Sequence, residues 1–89
     1  MLVVKFRLIE HAKERAAERG ATKDEIQRAL SAGNEVQAKK GRKSKEMIFE
    51  YGREWLGKTY PQKKVRVIYV EESEEIIVIT VKVYYGKWR

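Results

Sequence analysis

Val4, Phe6 and Leu8 alternate with Lys5 and Arg7 at the start of the chain. This is the period-2 pattern of a half-buried strand, so Leu2–Leu8 is read as a short strand or lead-in. From Ile9 the period lengthens. On a helical wheel Ile9, Ala12 and Ala16 share one face, and Glu10, Glu14 and Glu18 point to solvent. His11, Arg15 and Arg19 form a strip between those two faces. The spacing predicts a helix over Glu10–Arg19, with Gly20 as the left-handed residue that ends it. Thr22 and Glu25 then have the spacing of a capping box, and Asp24 adds favourable charge to a first helical turn. Ile26, Ala29 and Leu30 make the apolar stripe of this second helix, which Gly33 ends. Residues 10–33 therefore read as an αα-hairpin.

Beyond Asn34 the pattern is one of strands. Glu35–Ala38 reads as a short strand, and Lys39–Lys45 (KKGRKSK) as a basic loop or hairpin tip. In Glu46–Arg53, Met47, Phe49 and Tyr51 alternate against Glu46, Ile48 and Glu50. Trp55–Gln62 contains Gly57 and Pro61 and reads as a loop. Lys64–Val70 and Glu75–Tyr85 are the two strongest strands, joined by a tight acidic turn. A turn centred near Ser73 sets Arg66 opposite Thr80, Lys64 opposite Lys82 and Val67 opposite Ile79. One face then carries Val65, Val67, Tyr69, Ile77, Ile79, Val81 and Val83, and the helical hairpin is expected to cover it. The other carries Lys64, Arg66, Ile68, Val78, Thr80, Lys82 and Tyr84. The whole pattern predicts an α+β fold in one domain over residues 1–89. A short N-terminal strand and the αα-hairpin (about 10–33) pack on one face of a twisted antiparallel sheet of three to four strands (about 35–85).

Composition narrows the chemistry. Eighty-nine residues without cysteine leave no disulfide, no thiolate metal site and no cysteine nucleophile. With one histidine there is no ordinary zinc site, and no phosphate-loop glycine motif occurs, so no metal or cofactor is expected. The apolar run before Glu10 is too short for a signal peptide, and no window reaches the roughly 18 apolar residues that span a membrane. A cytoplasmic protein is expected, with no membrane partner. Abundant charge with scarce Asn, Gln and Cys resembles the composition of thermophile proteins.

Charge changes the picture more. The net charge of +7 is uneven: residues 1–33 carry +2, residues 34–66 carry +6 and residues 67–89 carry −1. A concentrated excess suits a polyanion such as nucleic acid or an acidic protein segment. Arg15, Arg19, Lys39, Lys40, Arg42, Lys43, Lys64 and Lys82 are the expected phosphate contacts. Trp55, Tyr60 and Trp88 lie near basic residues and suit either base stacking or the closing of a small core. Metal-independent RNA cleavage needs an acid–base group and positive charge on the phosphorane. His11 is the candidate acid–base group, Arg66 would hold the phosphate, and Thr80 and Tyr84 would orient substrate. The alternatives are a His11 that packs locally at a helix start, helix arginines that pair with Glu14 or Glu18, and a binding module with no catalysis. An oligomerising structural protein, pairing through the sheet edge after Val83, is a third class.

The runs HAKERAAERG, TKDEIQRAL and VRVIYVEESEEIIVITV resemble a small prokaryotic family, domain-of-unknown-function family 4258. The matching features are His11–Ala12, Arg15, Arg19–Gly20 and Thr80–Val81; the chain departs from the pattern by placing Lys82–Val83–Tyr84 after the Thr-Val pair. The order of two helices before an antiparallel sheet also resembles toxins of the RelE/ParE type. That resemblance implies a RelE-like fold and ribonuclease action on free or ribosome-bound RNA, or inhibition of a gyrase. It also implies a cognate antitoxin protein as partner, and Lys64, Arg66, Thr80 and Tyr84 as residues of the open sheet face.

Overall fold

A computed structural model describes residues 5–88. The order of elements is β1 (Phe6–Leu8), α1 (Glu10–Arg19), α2 (Lys23–Ala32), β2 (Asn34–Glu35), β3 (Lys43–Trp55), β4 (Lys58–Glu72) and β5 (Glu75–Gly86). Leu2–Val4, expected in the first strand, lie outside the described residues.

Both helices form where local chemistry directs them. Gly20 closes α1 at φ 81°, and its N–H bonds the Ala16 carbonyl. The α2 capping box is complete: Thr22 Oγ1 accepts from Glu25 N at 3.1 Å, and the Glu25 carboxylate accepts from Thr22 N at 2.9 Å. Gly33 ends α2 for a different reason, since its φ is ordinary. A Cβ there would lie 2.7 Å from the Glu46 carbonyl oxygen, so glycine lets β3 pass close by.

The sheet has five strands in the order β1-β5-β4-β3-β2, not three to four. Two features enlarge it. β1 joins the edge parallel to β5, with Arg7 opposite Ile77, which makes the sheet mixed. Trp55–Gln62 is the last residue of β3, a two-residue turn and the start of β4, not a loop. Leu56 and Gly57 both have positive φ (50° and 84°) between the paired Trp55 and Lys58, the geometry of a primed hairpin turn. Pro61 is tolerated in β4 because it meets a register shift between Glu50 and Arg53 on one side and lies beyond the last pair with β5 on the other. The short strand expected at Glu35–Ala38 is only Asn34–Glu35, and Lys43–Lys45 belong to β3.

The β4–β5 register differs from the expected one by two residues through most of its length. Val67 lies opposite Val81, Arg66 opposite Lys82, and Lys64 opposite Tyr84. The turn occupies Ser73 and Glu74, both at positive φ, and a bulge then leaves Ile79 without a partner between the Ile68–Thr80 and Tyr69–Val78 pairs. Because strand faces alternate with period 2, one extra residue reverses the faces of everything on the turn side of the bulge. Val78 and Ile76 therefore face the helices, whereas Ile77 is buried outside the core cluster. The core holds Ala12, Ala16, Ile26, Ala29 and Leu30 against Phe49, Val65, Val67, Tyr69, Val78 and Val81. α1 lies along β5, and α2 lies over β3 and β4. Among the described residues no helix is long and apolar enough to cross a membrane.

Candidate functional site

The face of the sheet turned away from the helices carries the polar cluster. Three cross-strand rows build it: Ser44–Ile68–Thr80, Glu46–Arg66–Lys82 and Ile48–Lys64–Tyr84. The rows are nearest neighbours on one pleated face, so their side chains form a continuous patch. Glu46 organises it. Its carboxylate accepts from Arg66 Nε at 2.9 Å and lies 2.8 Å from Arg66 Nη2, and Lys64 Nζ stands 3.7 Å away. Arg66 also lies over the Tyr84 ring, with 5.3 Å between the guanidinium carbon and the ring centroid. Lys64 lies over the Trp88 ring at 4.7 Å, and Trp88 is held there by its N–H, which donates to Gln62 Oε1 at 2.7 Å. Tyr84 and Trp88 are among the few large apolar side chains left exposed. Lys82 is exposed beside them.

The basic segment after β2 does not act as one patch. Lys45 donates to the Leu30 carbonyl at 3.0 Å, satisfying a carbonyl at the end of α2. Lys43 sits in a row with Tyr69 on the opposite face and pairs with Glu71. That contact raises the Lys43 pKa and lowers that of Glu71, through a side-chain hydrogen bond first and charge attraction second. Lys39, Lys40 and Arg42 remain exposed in the loop. Of these, Lys39 and Arg42 reach over the open face and line a groove of about 320 Å³ with Ser44, Arg66, Thr80 and Lys82.

The helix strip is split as well. Arg19 Nη1 donates to the Val81 carbonyl at 2.7 Å, on the edge of β5 that β1 leaves unpaired. A small recess joins it to Lys82 and Tyr84, so Arg19 meets the rim of the open face. Arg15 pairs with Glu18 at 3.1 Å. His11 is exposed and lines neither the groove nor the recess. Eight residue steps along α1, roughly 12 Å of axial rise, separate it from Arg19. Of the expected site residues, Arg66, Thr80, Tyr84, Lys64 and Lys82 thus share a face with Lys39 and Arg42, and Arg19 borders it. His11, Arg15, Lys40 and Lys43 do not join them.

Sequence reasoning passed over Ser44 and Glu46. Glu46 was legible as the polar partner of Met47 in an alternating strand, but its place beside Arg66 needed the β3–β4 register. Trp55 and Tyr60 belong elsewhere: with Tyr51 they surround Tyr85 on the helix side, and Trp55 stacks on Tyr85 at 4.8 Å.

Tyr85 Oη donates to the Arg19 carbonyl at 2.7 Å, where the αα-hairpin turns. Burial, then the neighbouring Tyr51 and Glu25, pushes its pKa up to about 12. The folded state thus favours the protonated phenol. Its contribution is complete below the unfolded value of about 10 and is lost as pH rises through about 12. Tyr85→Phe is expected to flatten the fall in thermal midpoint across that window, at the cost of a lower midpoint at neutral pH. An unchanged alkaline profile in the variant contradicts this.

No curated protein and no solved structure matches the chain, so the comparisons lend nothing to the resemblance to RelE/ParE-type toxins. A family match covers residues 8–83, from the end of β1 to Val83 in β5. It takes in both helices, the basic loop and most of the open face, and the chain belongs to the family described as Domain of unknown function (DUF4258).

Proposed function

We propose that the chain is an RNA-directed binding module that receives a single-stranded backbone on the open face of its sheet. The observation that carries this reading is the cluster of Lys64, Arg66 and Lys82 in two adjacent cross-strand rows, beside the exposed rings of Tyr84 and Trp88. Cations in neighbouring rows suit successive phosphates, and the two rings offer surfaces on which unpaired bases stack. The uneven charge of the sequence supports it, because the most basic third of the chain supplies the loop, Lys64 and Arg66.

Binding is favoured over cleavage. A general acid or base must come within hydrogen-bond reach of the reacting oxygen, and His11 stands apart from the basic groove. The toxin reading, with ribosome-bound RNA as target and an antitoxin as partner, rests on the order of elements, and fold does not imply function.

Anisotropy of a labelled single-stranded RNA tests the reading. Affinity is expected to fall steeply with salt, and Lys82→Ala to reduce the slope of log K against log salt by about 0.7, the value of one single-strand phosphate contact. His11→Ala is expected to leave both unchanged. Binding that ignores salt, or none at low salt, sinks the reading. Cleavage of the RNA that His11→Ala abolishes would restore the catalytic alternative.

A further inference from the structure

Ser44 is 3% exposed, and its hydroxyl finds no hydrogen-bond partner among the described residues. A buried, unpaired hydroxyl is costly, and native proteins leave few of them. Its row partners are Ile68 and Thr80, so its side chain belongs to the open face, under the loop of residues 37–42. There it lines the groove of about 320 Å³ that Thr80, Arg66, Lys82, Arg42 and Lys39 also line. Among the described residues four cations and two hydroxyls border this space, and no carboxylate does. Glu46 engages Nε and Nη2 of Arg66, which leaves Nη1 outside that pairing. A recess on the opposite face also touches Ser44; Arg42, Lys43 and Lys45 line it together with Glu35 and Glu71, and Glu71 already engages Lys43 there.

We infer that this groove is a subsite for one phosphoryl group. Ser44 Oγ and Thr80 Oγ1 donate to its oxygens. Arg66 and Lys82 hold its charge from the floor, and Arg42 and Lys39 from the loop above. Among the described residues no carboxylate lines the groove to accept from Ser44, whereas a phosphoryl oxygen supplies the acceptor that the buried hydroxyl lacks. The inference deepens the RNA-directed reading, because it selects one phosphate of a backbone to be gripped by fixed hydroxyls and not by mobile cations alone. It does not require that reading, since a phosphate monoester on a small molecule presents the same chemistry.

Ser44→Ala separates the two because it changes no charge. The probes are inorganic phosphate, followed by amide NMR shifts, and a single-stranded RNA, followed by anisotropy. Phosphate is expected to shift Ser44, Thr80 and Lys82 saturably, where equal ionic strength of chloride does not. Ser44→Ala is expected to weaken phosphate about tenfold, the size of one hydrogen bond to a charged group. It should also raise the thermal midpoint of the ligand-free protein, since it removes an unsatisfied hydroxyl. Thr80→Val gives a second, independent loss of phosphate binding. If neither variant weakens phosphate, or phosphate shifts nothing in the groove, the subsite is wrong. Salt-dependent RNA binding that survives Ser44→Ala unchanged would leave the backbone-binding reading standing without the subsite. Phosphate binding lost in Ser44→Ala, in a protein that ignores RNA, would keep the subsite and overturn the RNA reading.

Discussion

Lys63→Met is expected to destabilise the protein by about 3 kcal/mol, the cost of stranding one partner of a buried ion pair. Lys63 lies in β4 on the helix face, and its side chain is 5% exposed. Its ammonium sits 2.8 Å from Glu25 Oε1 and donates to the Gly20 carbonyl at 2.7 Å. The Tyr51 ring lies 5.3 Å from the same nitrogen. One lysine therefore joins the end of α1, the start of α2 and the aromatic cluster. Methionine keeps most of the volume but leaves the Glu25 carboxylate and the Gly20 carbonyl without this donor. The capping-box bond from Thr22 N remains on Glu25, which keeps the loss toward the lower end of the usual range. Urea denaturation measures it directly, and in a chain of this size the thermal midpoint should drop by more than about 10 °C. Adding Glu25→Gln should recover part of the loss, because the uncompensated charge is then gone. A single variant within about 1 kcal/mol of wild type would show that the pair contributes little.

Gly20→Ala is expected to cost about 2–5 kcal/mol, from two sources that add. The residue has φ 81°, a left-handed conformation that penalises a β-carbon by roughly 1–2 kcal/mol. A β-carbon there would also lie 2.6 Å from Tyr85 Oη and 2.9 Å from the Trp55 ring. Those two rings stack on one another, so neither yields without moving its neighbour. Overpacking of this kind typically costs about 1–3 kcal/mol. The expected signature is a lower urea midpoint that Tyr85→Phe partly restores, since that change removes the closest atom. A tolerated alanine would mean that the hairpin turn is free to lift from the sheet. While still folded, the Gly20 and Lys63 variants should retain phosphate binding. The groove lies on the opposite face, with Thr80 five residues before Tyr85 along β5.

The two variants bear on function through Arg19. The docked turn holds the end of α1 against β5, and from there Arg19 reaches the Val81 carbonyl at the rim of the open face. A lifted turn would withdraw that cation. The glycine and the buried lysine therefore set where the helix ends relative to the basic face, although neither belongs to it.

Local residue patterns were enough to specify the helices and the general placement of polar and apolar strand positions. α1 ran over Glu10–Arg19 as its periodicity required, and the capping box at Thr22 and Glu25 formed as spaced. The end of α1 at Gly20 and the start of α2 at Thr22 are fixed within one turn, so local residues suffice there. Composition likewise placed the excess charge near Lys39–Arg66. Tertiary structure decided everything that depends on which strands meet and in what register. Nothing local marks Ile79 as the bulged residue, yet it turns Val78 inward and Ile77 away. The pairing of β1 with β5 joins segments some seventy residues apart, and short apolar runs carry no record of that partner. The same holds for the site. Arg66 and Lys82 were legible as basic positions on one face, but the basic loop divides according to neighbours the sequence does not name. Lys45 goes to a helix end, Lys43 to Glu71, and Arg42 to the groove. Ser44 shows the limit most plainly: a serine among lysines reads as solvated loop, and only the fold buries its hydroxyl, without a partner among the described residues, beside the cations of the groove.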